Sequence, residues 1–306
     1  MKALDALMAG LVDYAGLFPP ATETMRQALE SYASYFAGPD RNALGRFIVP
    51  LSHLRELEQA GSALLPGRTV AAPWRLSALV AGEVASAARE ISDFNRRHSD
   101  GSDAGRAVID VVELKAGSSD EIERQRAAVP DSFTCYFEIP LAGDVPGLIE
   151  TLHRQGSRAK IRTGGVTAAV FPPAGQIIDF MIACHRLGVS FKATAGLHHP
   201  VRGPYRLTYE PASRLGTMYG FLNVFLAAVL IHAGEERETS MAMLEETDAS
   251  AFAFFDDAIV WRGHRLYARQ IRSARDHLAI SFGSCSFREP VEELDRLARS
   301  MGVGAR

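Results

Sequence analysis

The chain has 306 residues, with little cysteine and no strong excess of either charge. Its three cysteines, Cys135, Cys184 and Cys285, are odd in number and far apart in sequence. That pattern excludes a disulfide framework and predicts a reducing, cytoplasmic location. The formal net charge of −3 gives no reason to expect a nucleic acid as partner.

Long hydrophobic runs are absent as well. The most apolar stretch, residues 218–232, is shorter than the ~20 residues that a membrane span requires. We therefore predict no membrane partner. This stretch is predicted to be a helix that is buried or lies between copies of the chain, which leaves a homo-oligomer open. The first residues lack an apolar core followed by a cleavage site, so they predict a structural helix rather than a signal peptide.

Lysine is the scarcest charged residue, with four copies against 29 arginines. Lys115, Lys160 and Lys192 each follow a short apolar run, and Lys2 lies at the N-terminus. Arginine stays protonated, whereas a buried lysine can act as an amine nucleophile or a proton carrier. We infer that this chain keeps lysine where arginine cannot serve.

Short apolar runs alternate with longer amphipathic ones along most of the chain, which predicts an α/β fold. Eight strands with helices between them predict a (β/α)8 TIM-type barrel, and a doubly wound open sheet is the main alternative. We expect one domain over residues 1–306, with residues 1–44 as a helical segment packed on the barrel. Residues 256–266 predict a hairpin that turns at Arg262 and Gly263. The predicted strands are 46–51, 75–80, 108–115, 133–140, 158–163, 189–195, a run near 251–255, and 278–283.

Side chains alternate between the two faces of a strand, and four of these strands have one polar face. A parallel sheet covered on both sides would instead be apolar throughout, so we place the polar faces in the barrel lumen. The charges lie toward the carboxyl ends of the strands, where barrel active sites are built. The residues on the polar faces are Glu113 and Lys115, then Tyr136 and Glu138, then Lys160 and Arg162, then Lys192 and Thr194.

Two carboxylates, Glu113 and Glu138, face four cations in this predicted cluster. The surplus of positive charge predicts a small anionic metabolite, a carboxylate or phosphate, as the ligand. It argues against a divalent metal, which would require more carboxylates, and no cofactor is predicted. We expect Lys192, Lys160, Glu138 and Glu113 to be catalytic. Lys115, Arg162, Thr194 and Tyr136 are expected to bind the substrate.

Three further segments are predicted to contact the substrate. His198 and His199 follow the Lys192 strand, but adjacent side chains point apart, so a shared metal is not expected. Gly283 and Ser284 end the last strand, where barrels often bind phosphate. Cys285 follows them, and a nucleophilic role for it is the weaker alternative because no base is identifiable beside it. Residues 13–20 predict either a rigid lid or a bend between two helices, and Asp13 is counted among the substrate-binding residues.

Residues 183–196, Ala-Cys-His-Arg-Leu-Gly-Val-Ser-Phe-Lys-Ala-Thr-Ala-Gly, resemble the Schiff-base strand of deoxyribose-phosphate aldolases and related class I aldolase barrels. The resemblance implies that Lys192 forms the imine on a sixth strand, with Lys160 on the fifth. It implies a third-strand acid at Asp110 or Glu113, and the alternation of faces favours Glu113. The family's additional lysine on the seventh strand has no counterpart here, because no lysine follows Lys192.

Two other likenesses are more limited. Residues 192–199 are similar to a segment of quinolinate phosphoribosyltransferases, which hold a dicarboxylate and a phosphorylated sugar in a barrel rich in lysine and arginine. Residues 13–21 and 282–287 resemble signature motifs of a bacterial protein family.

Together these patterns predict a lyase of the aldolase type in which Lys192 attacks a carbonyl of an anionic substrate. One alternative is an isomerase, decarboxylase or phosphoribosyltransferase-like enzyme that uses the lysines electrostatically. The other is a barrel that binds a metabolite without turnover.

Overall fold

The computed structural model describes residues 1–67, 70, 72–99 and 105–301, and it contains a closed parallel barrel of eight strands. The fold predicted from the sequence is thereby confirmed. In chain order, the strands of the described residues are β1 (Val12–Tyr14), β2 (Leu44–Pro50), β3 (Trp74–Leu79), β4 (Ala107–Lys115), β5 (Thr134–Glu138), β6 (Arg158–Arg162), β7 (Phe191–Thr194), β8 (Gly203–Arg206), β9 (Leu215–Met218), β10 (Phe252–Phe254), β11 (Ala258–Trp261), β12 (His264–Tyr267) and β13 (Ala279–Ser284).

The barrel consists of β1 to β7 and β13, which closes it between β7 and β1. Seven of the eight predicted strands lie in it, and the run near 251–255 does not. That run forms β10 in a separate antiparallel sheet with β11 and β12. The missing barrel strand is β1, within the segment predicted to be helical. Lys192 is therefore on the seventh barrel strand and Lys160 on the sixth.

Helices follow most of the barrel strands and cover the outside. They are α1 (Lys2–Met8), α2 (Met25–Ala37), α3 (Leu54–Gly61), α4 (Val84–Arg97), α5 (Ser119–Ala127), α6 (Val145–Arg154), α7 (Ala174–Leu187), α8 (Phe221–His232), α9 (Arg237–Glu245), α10 (Ala268–His277) and α11 (Arg288–Met301). Side-chain capping explains where two of these helices begin. Thr24 and Gln27 form a capping box at the start of α2, and the Asp144 side chain caps α6. The apolar strand faces, including Leu114, Phe137 and Phe191, pack outward against these helices.

Helix α8 is buried on all sides from Phe221 to Ile231, which explains its continuous apolar sequence. It packs against α7, α9 and α10 of its own chain. The suggestion that it lies between copies of the chain was therefore wrong, and the buried alternative is correct. Among the described residues, no helix combines the length and apolar character needed to cross a membrane.

Two small antiparallel sheets are separate from the barrel. The predicted hairpin at 256–266 is confirmed as β11 and β12, which turn at Arg262 and Gly263. Strands β8 and β9 form a second antiparallel pair. Leu207, directly after β8, and Met218 at the end of β9 both line the barrel cavity. This pair therefore covers part of the mouth. Residues 302–306 of the predicted single domain lie outside the described residues.

Candidate active site in the barrel lumen

Charged side chains of opposite sign alternate across the lumen from its floor to its mouth. The sequence of contacts runs Asp13, Lys192, Glu113, Lys160, Glu138, and then Arg162 and Lys115. Exposure rises along it, from 1% for the Lys192 side chain to 46% for Arg162 and 66% for Lys115. The predicted convergence of the six other side chains in the lumen is confirmed, and Asp13 joins them without having been predicted in this cluster.

At the floor, Lys192 is held between two buried carboxylates. Its Nζ donates to Asp13 Oδ2 and to Glu113 Oε1, each at 2.6 Å. Two buried hydroxyls complete the shell, because Ser281 donates to Asp13 Oδ2 at 2.8 Å and Ser77 donates to Glu113 Oε1 at 2.6 Å. This arrangement leaves the ammonium and both carboxylates paired, as burial of charge requires.

The close approach of Asp13 depends on a glycine in the next strand. Asp13 Oδ1 accepts a hydrogen bond from the backbone N–H of Arg46 at 2.7 Å. A Cβ at the preceding residue, Gly45, would lie 2.3 Å from that oxygen. A side chain at position 45 would therefore displace the carboxylate that pairs with Lys192.

The pKa values of this group favour the charged forms. Burial alone would lower the pKa of Lys192, but Asp13 and Glu113 outweigh it and hold the pKa above the ordinary 10.5. Burial alone would raise the pKa of Glu113, but Lys160 and Lys192 outweigh it and keep the pKa far below the ordinary 4.5. Lys192 is thus an ammonium at neutral pH and lacks the free electron pair of a nucleophile.

Above this floor, Lys160 bridges the two glutamates. Its Nζ lies 2.8 Å from Glu113 Oε2 and 3.1 Å from Glu138 Oε2. Both oxygens are buried, and within the described chain neither receives a hydrogen bond of good geometry. The other oxygen of Glu138, Oε1, accepts a hydrogen bond from Arg162 at 3.2 Å. Lys115 Nζ lies 3.8 Å from this same oxygen.

These upper residues form one wall of a cavity of about 290 Å³. That volume is near the lower end of the ~300–1,000 Å³ typical of ligand sites, which indicates a small metabolite. Its polar lining comprises Glu113, Lys115, Glu138, Lys160, Arg162, Thr194, His198 and Cys285. Its apolar lining includes Phe18, Pro19, Pro20, Ile48, Leu79, Leu207 and Met218.

A second polar group lies on another part of the wall. His198 Nδ1 is 3.1 Å from Glu289 Oε2 and 3.9 Å from Cys285 Sγ. Tyr209 donates to Glu289 Oε2 at 3.1 Å, and its hydroxyl is 3.5 Å from the Cys285 sulfur. Burial alone would lower the pKa of His198, but Cys285 and Glu289 outweigh it and raise the pKa to about 9.

His199 is separated from His198, as the alternation of side chains predicts. The two rings are 6.4 Å apart, and His199 Nδ1 pairs with Glu293 Oε2 at 2.8 Å while its ring stacks on Tyr205. His199, Glu289 and Glu293 place three ligand-type atoms within 4.8 Å of one another. Those atoms already pair within the protein, and we assign no metal to them.

The structure divides the predicted site residues into two groups. Seven of them line the cavity directly, together with Gly283. Those seven are Lys160, Glu138, Glu113, Lys115, Arg162, Thr194 and His198. Lys192, Asp13, Tyr136, His199 and Ser284 are not on its wall.

Three of these positions correct the predictions. Asp13 is on β1 beneath the cavity, so it pairs with Lys192 instead of contacting a substrate. Lys192 is covered by the residues above it and does not face the cavity. Ser284 is buried and accepts from the Ser286 N–H, while the Glu289 N–H donates to the Ser286 hydroxyl, so side chains already bind backbone N–H groups of the predicted phosphate loop.

Sequence reasoning did not assign Glu289, Tyr209 or Cys285. Glu289 and Tyr209 carry no local motif, and they come together with Cys285 only in the folded chain. Asp13 also alters the charge count, because a third carboxylate reduces the predicted surplus of two positive charges to one.

We expect protein stability to depend on pH at both extremes. The folded-state pKa values of Glu113 and Glu138 are lowered, so their contribution is complete above the unfolded value near 4.3 and declines as pH falls through the folded values. The folded-state pKa of Lys192 is raised, so its contribution is complete below about 10.4 and declines as pH rises through the folded value. The folded-state pKa of His198 is raised to about 9, so its contribution is complete below about 6.5 and declines as pH rises to about 9. Urea unfolding over a pH series should therefore show full stability between about pH 5 and 6.5, a first decline from His198 up to about pH 9, and a second decline from Lys192 above about pH 10.

The double variant Asp13→Asn/Lys192→Met is the control for the alkaline limb. It removes the Lys192 titration, so its stability should decline less above pH 10 than that of the unaltered chain. If both proteins lose stability equally above pH 10, the alkaline decline does not come from Lys192.

A scan against protein-family models, a search of curated proteins and a search of solved structures each found no match to this chain.

Proposed function

We propose that the protein is an enzyme that transfers a proton at the carbon next to a carbonyl group in a small anionic substrate. The observation that carries this proposal is the buried Glu138–Lys160 pair on the cavity wall. Glu138 Oε2 lies 3.1 Å from the ammonium of Lys160 and receives no hydrogen bond from the described residues. A carboxylate beside a fixed ammonium on a cavity wall suits removal of a proton and stabilisation of the resulting enolate.

The two exposed cations at the mouth supply the anion-binding part of the site. Arg162 and Lys115 both approach Glu138 Oε1. A substrate carboxylate or phosphate placed against them shares their positive charge with Glu138. The fork of donors on Arg162 matches such a group in a bidentate manner.

Substrate binding then strengthens the base. In the free protein, burial would raise the pKa of Glu138, but Lys160, Arg162 and Lys115 outweigh it and lower the pKa. The carboxyl group is therefore ionised and ready to accept a proton. Partial neutralisation of Arg162 and Lys115 by the substrate raises this pKa toward that of the carbon acid, which favours proton transfer.

Atoms balance without a further reactant. The carbon-bound proton moves to the Glu138 carboxylate, and the C–H electron pair forms the enolate, whose oxygen accepts a hydrogen bond from Lys160. Return of the proton to a different carbon gives an isomerase, and cleavage of the neighbouring bond gives a lyase. Lys192 acts beneath this pair, because it fixes Glu113, which holds Lys160 from below.

The experiment is hydrogen exchange in D2O, followed by NMR, with pyruvate, 2-oxobutyrate, acetoacetate and dihydroxyacetone phosphate as probes. We expect the protein to exchange α-protons of at least one of them and the Glu138→Gln variant to lose that exchange. Glu238→Gln, at an exposed glutamate of α9, is the matched control and should keep it. Thermal stabilisation by a probe without any exchange would contradict catalysis and indicate a binding protein.

Imine chemistry is the second candidate, and the structure favours Lys160 as its amine because Lys160 faces the cavity and Lys192 does not. Borohydride treatment in the presence of the same probes, followed by peptide mass spectrometry, separates the cases. The electrostatic proposal predicts no reduced adduct. A reduced adduct at Lys160 would contradict the electrostatic proposal and support an imine mechanism at that lysine. An adduct at Lys192 would contradict the observation that Lys192 does not face the cavity.

A further inference from the structure

Cys285 lies where a small molecule in the barrel cavity can reach it. It follows β13, its residue is 5% exposed, and it lines the cavity together with Lys160 and Glu138. The other two cysteines, Cys135 and Cys184, are buried and do not line this cavity. Cys285 is thus the cysteine in the described chain that shares a space with the proposed substrate.

The groups around the sulfur form an ordered chain. His198 Nδ1 and Nε2 lie 3.9 and 4.0 Å from Cys285 Sγ, so the sulfur is almost equally far from the two ring nitrogens. Glu289 holds the ring through Nδ1 at 3.1 Å, and Tyr209 contacts both Glu289 and the sulfur. Cysteine, histidine and an orienting carboxylate are the components of an activated thiol.

We propose that Cys285, with His198 and Glu289, is a nucleophilic thiol site for small electrophilic carbonyl compounds that enter the barrel cavity. The pKa of about 9 given above makes His198 an imidazolium at neutral pH, which places a cation 3.9 Å from the Cys285 sulfur. The site does not depend on the proton-transfer chemistry proposed for Glu138 and Lys160.

The covalent step needs no oxidant and no leaving group. The thiolate sulfur forms a bond to the carbonyl carbon, and the π electron pair of the C=O bond moves to oxygen. The proton on His198 then neutralises that oxygen, which yields a thiohemiacetal and a neutral imidazole. The reverse sequence releases the carbonyl compound.

The test is alkylation by iodoacetamide at a fixed pH of about 6.5, where an ordinary thiol is only ~1% thiolate. The reagent forms an S–C bond and releases iodide, and peptide mass spectrometry assigns each modified cysteine. We expect Cys285 in the folded protein to react at least about tenfold faster than the cysteine of a synthetic peptide covering residues 282–288. A slower reaction than in the peptide would overturn the proposal.

Variants identify the cause of the reactivity. His198→Gln and Glu289→Gln should each reduce the Cys285 rate about tenfold or more, because both remove or loosen the cation beside the sulfur. His199→Gln is the matched control, since its ring does not contact the sulfur, and it should stay within about twofold of the unaltered protein. Each variant is checked for folding by circular dichroism. Unchanged rates in folded His198→Gln and Glu289→Gln would overturn the proposal.

Carbonyl binding is tested with 13C-labelled glyoxylate as the probe. A thiohemiacetal signal in the 13C spectrum of the protein that is absent from Cys285→Ser supports the proposal, and its absence from both overturns the carbonyl specificity. These results do not depend on whether the protein exchanges α-protons. The proposal for Glu138 and Lys160 and the proposal for Cys285 can therefore fail independently of each other.

Discussion

Replacing Lys192 with methionine is expected to lower the free energy of unfolding by about 3–5 kcal/mol, one of the two largest effects we predict for this protein. The variant keeps a side chain of similar length but removes the charge between Asp13 and Glu113. Two buried carboxylates then lose the donor that each receives at 2.6 Å. The cost comes from uncompensated charge in a site from which water is excluded, and urea unfolding measures it.

Two controls separate this cost from the loss of a side chain. The double variant Asp13→Asn/Lys192→Met removes one carboxylate charge along with the ammonium, so it should recover part of the lost stability. Arg237→Met breaks the Arg237–Asp179 pair, whose side chains are 41% and 63% exposed, and should cost far less stability than Lys192→Met because water screens this surface pair. A loss below about 1 kcal/mol for Lys192→Met would show that the buried ion pairs are not required for stability.

The second large effect concerns Lys160. Lys160→Met should reduce the rate of α-proton exchange by about 10²–10³-fold, comparable to the loss of one oxyanion donor in other enzymes. Lys160→Arg keeps the charge and should retain part of the activity if the lysine acts electrostatically. An imine mechanism would lose all activity in both variants, because a guanidinium cannot form the imine.

Lys115→Met serves as the matched control for Lys160→Met. Lys115 is also a cavity-wall lysine near Glu138, but it is largely exposed and 3.8 Å from the carboxylate. Its loss should raise KM and leave kcat within a few-fold, since it binds the anion without contacting the enolate oxygen. Equal losses of kcat in the two lysine variants, each folded by circular dichroism, would contradict the role proposed for Lys160.

Several features of the site were predictable because they depend on local pattern. The period-two alternation in β4, β5, β6 and β7 determines which side chains share a face, whatever the rest of the chain does. The polar faces of these strands identified Glu113, Glu138, Lys160 and Lys192 as one group. The contacts between these four side chains confirm that grouping.

Other features were not predictable from local pattern. Strand β1 has three residues with an aspartate in the middle, too few for an alternation to be recognised. The run near 251–255 is apolar enough for a barrel strand, yet it pairs with β11, and β13 occupies the barrel position between β7 and β1. Missing β1 shifted the strand numbering by one, so Lys192 is on the seventh barrel strand, and counting the run near 251–255 kept the predicted total at eight.

Sequence alone determined the fold class, the polar strand faces and the scarcity of lysine, because residue type and spacing are local properties. Only the tertiary structure decided how deeply each charged side chain is buried and which residue it contacts. It placed Lys192 beneath the cavity with Asp13, 179 residues away, and left Lys160 facing the cavity. It also brought Cys285 to His198, 87 residues away. Such pairs depend on how the barrel closes, and closure is a property of all eight strands together.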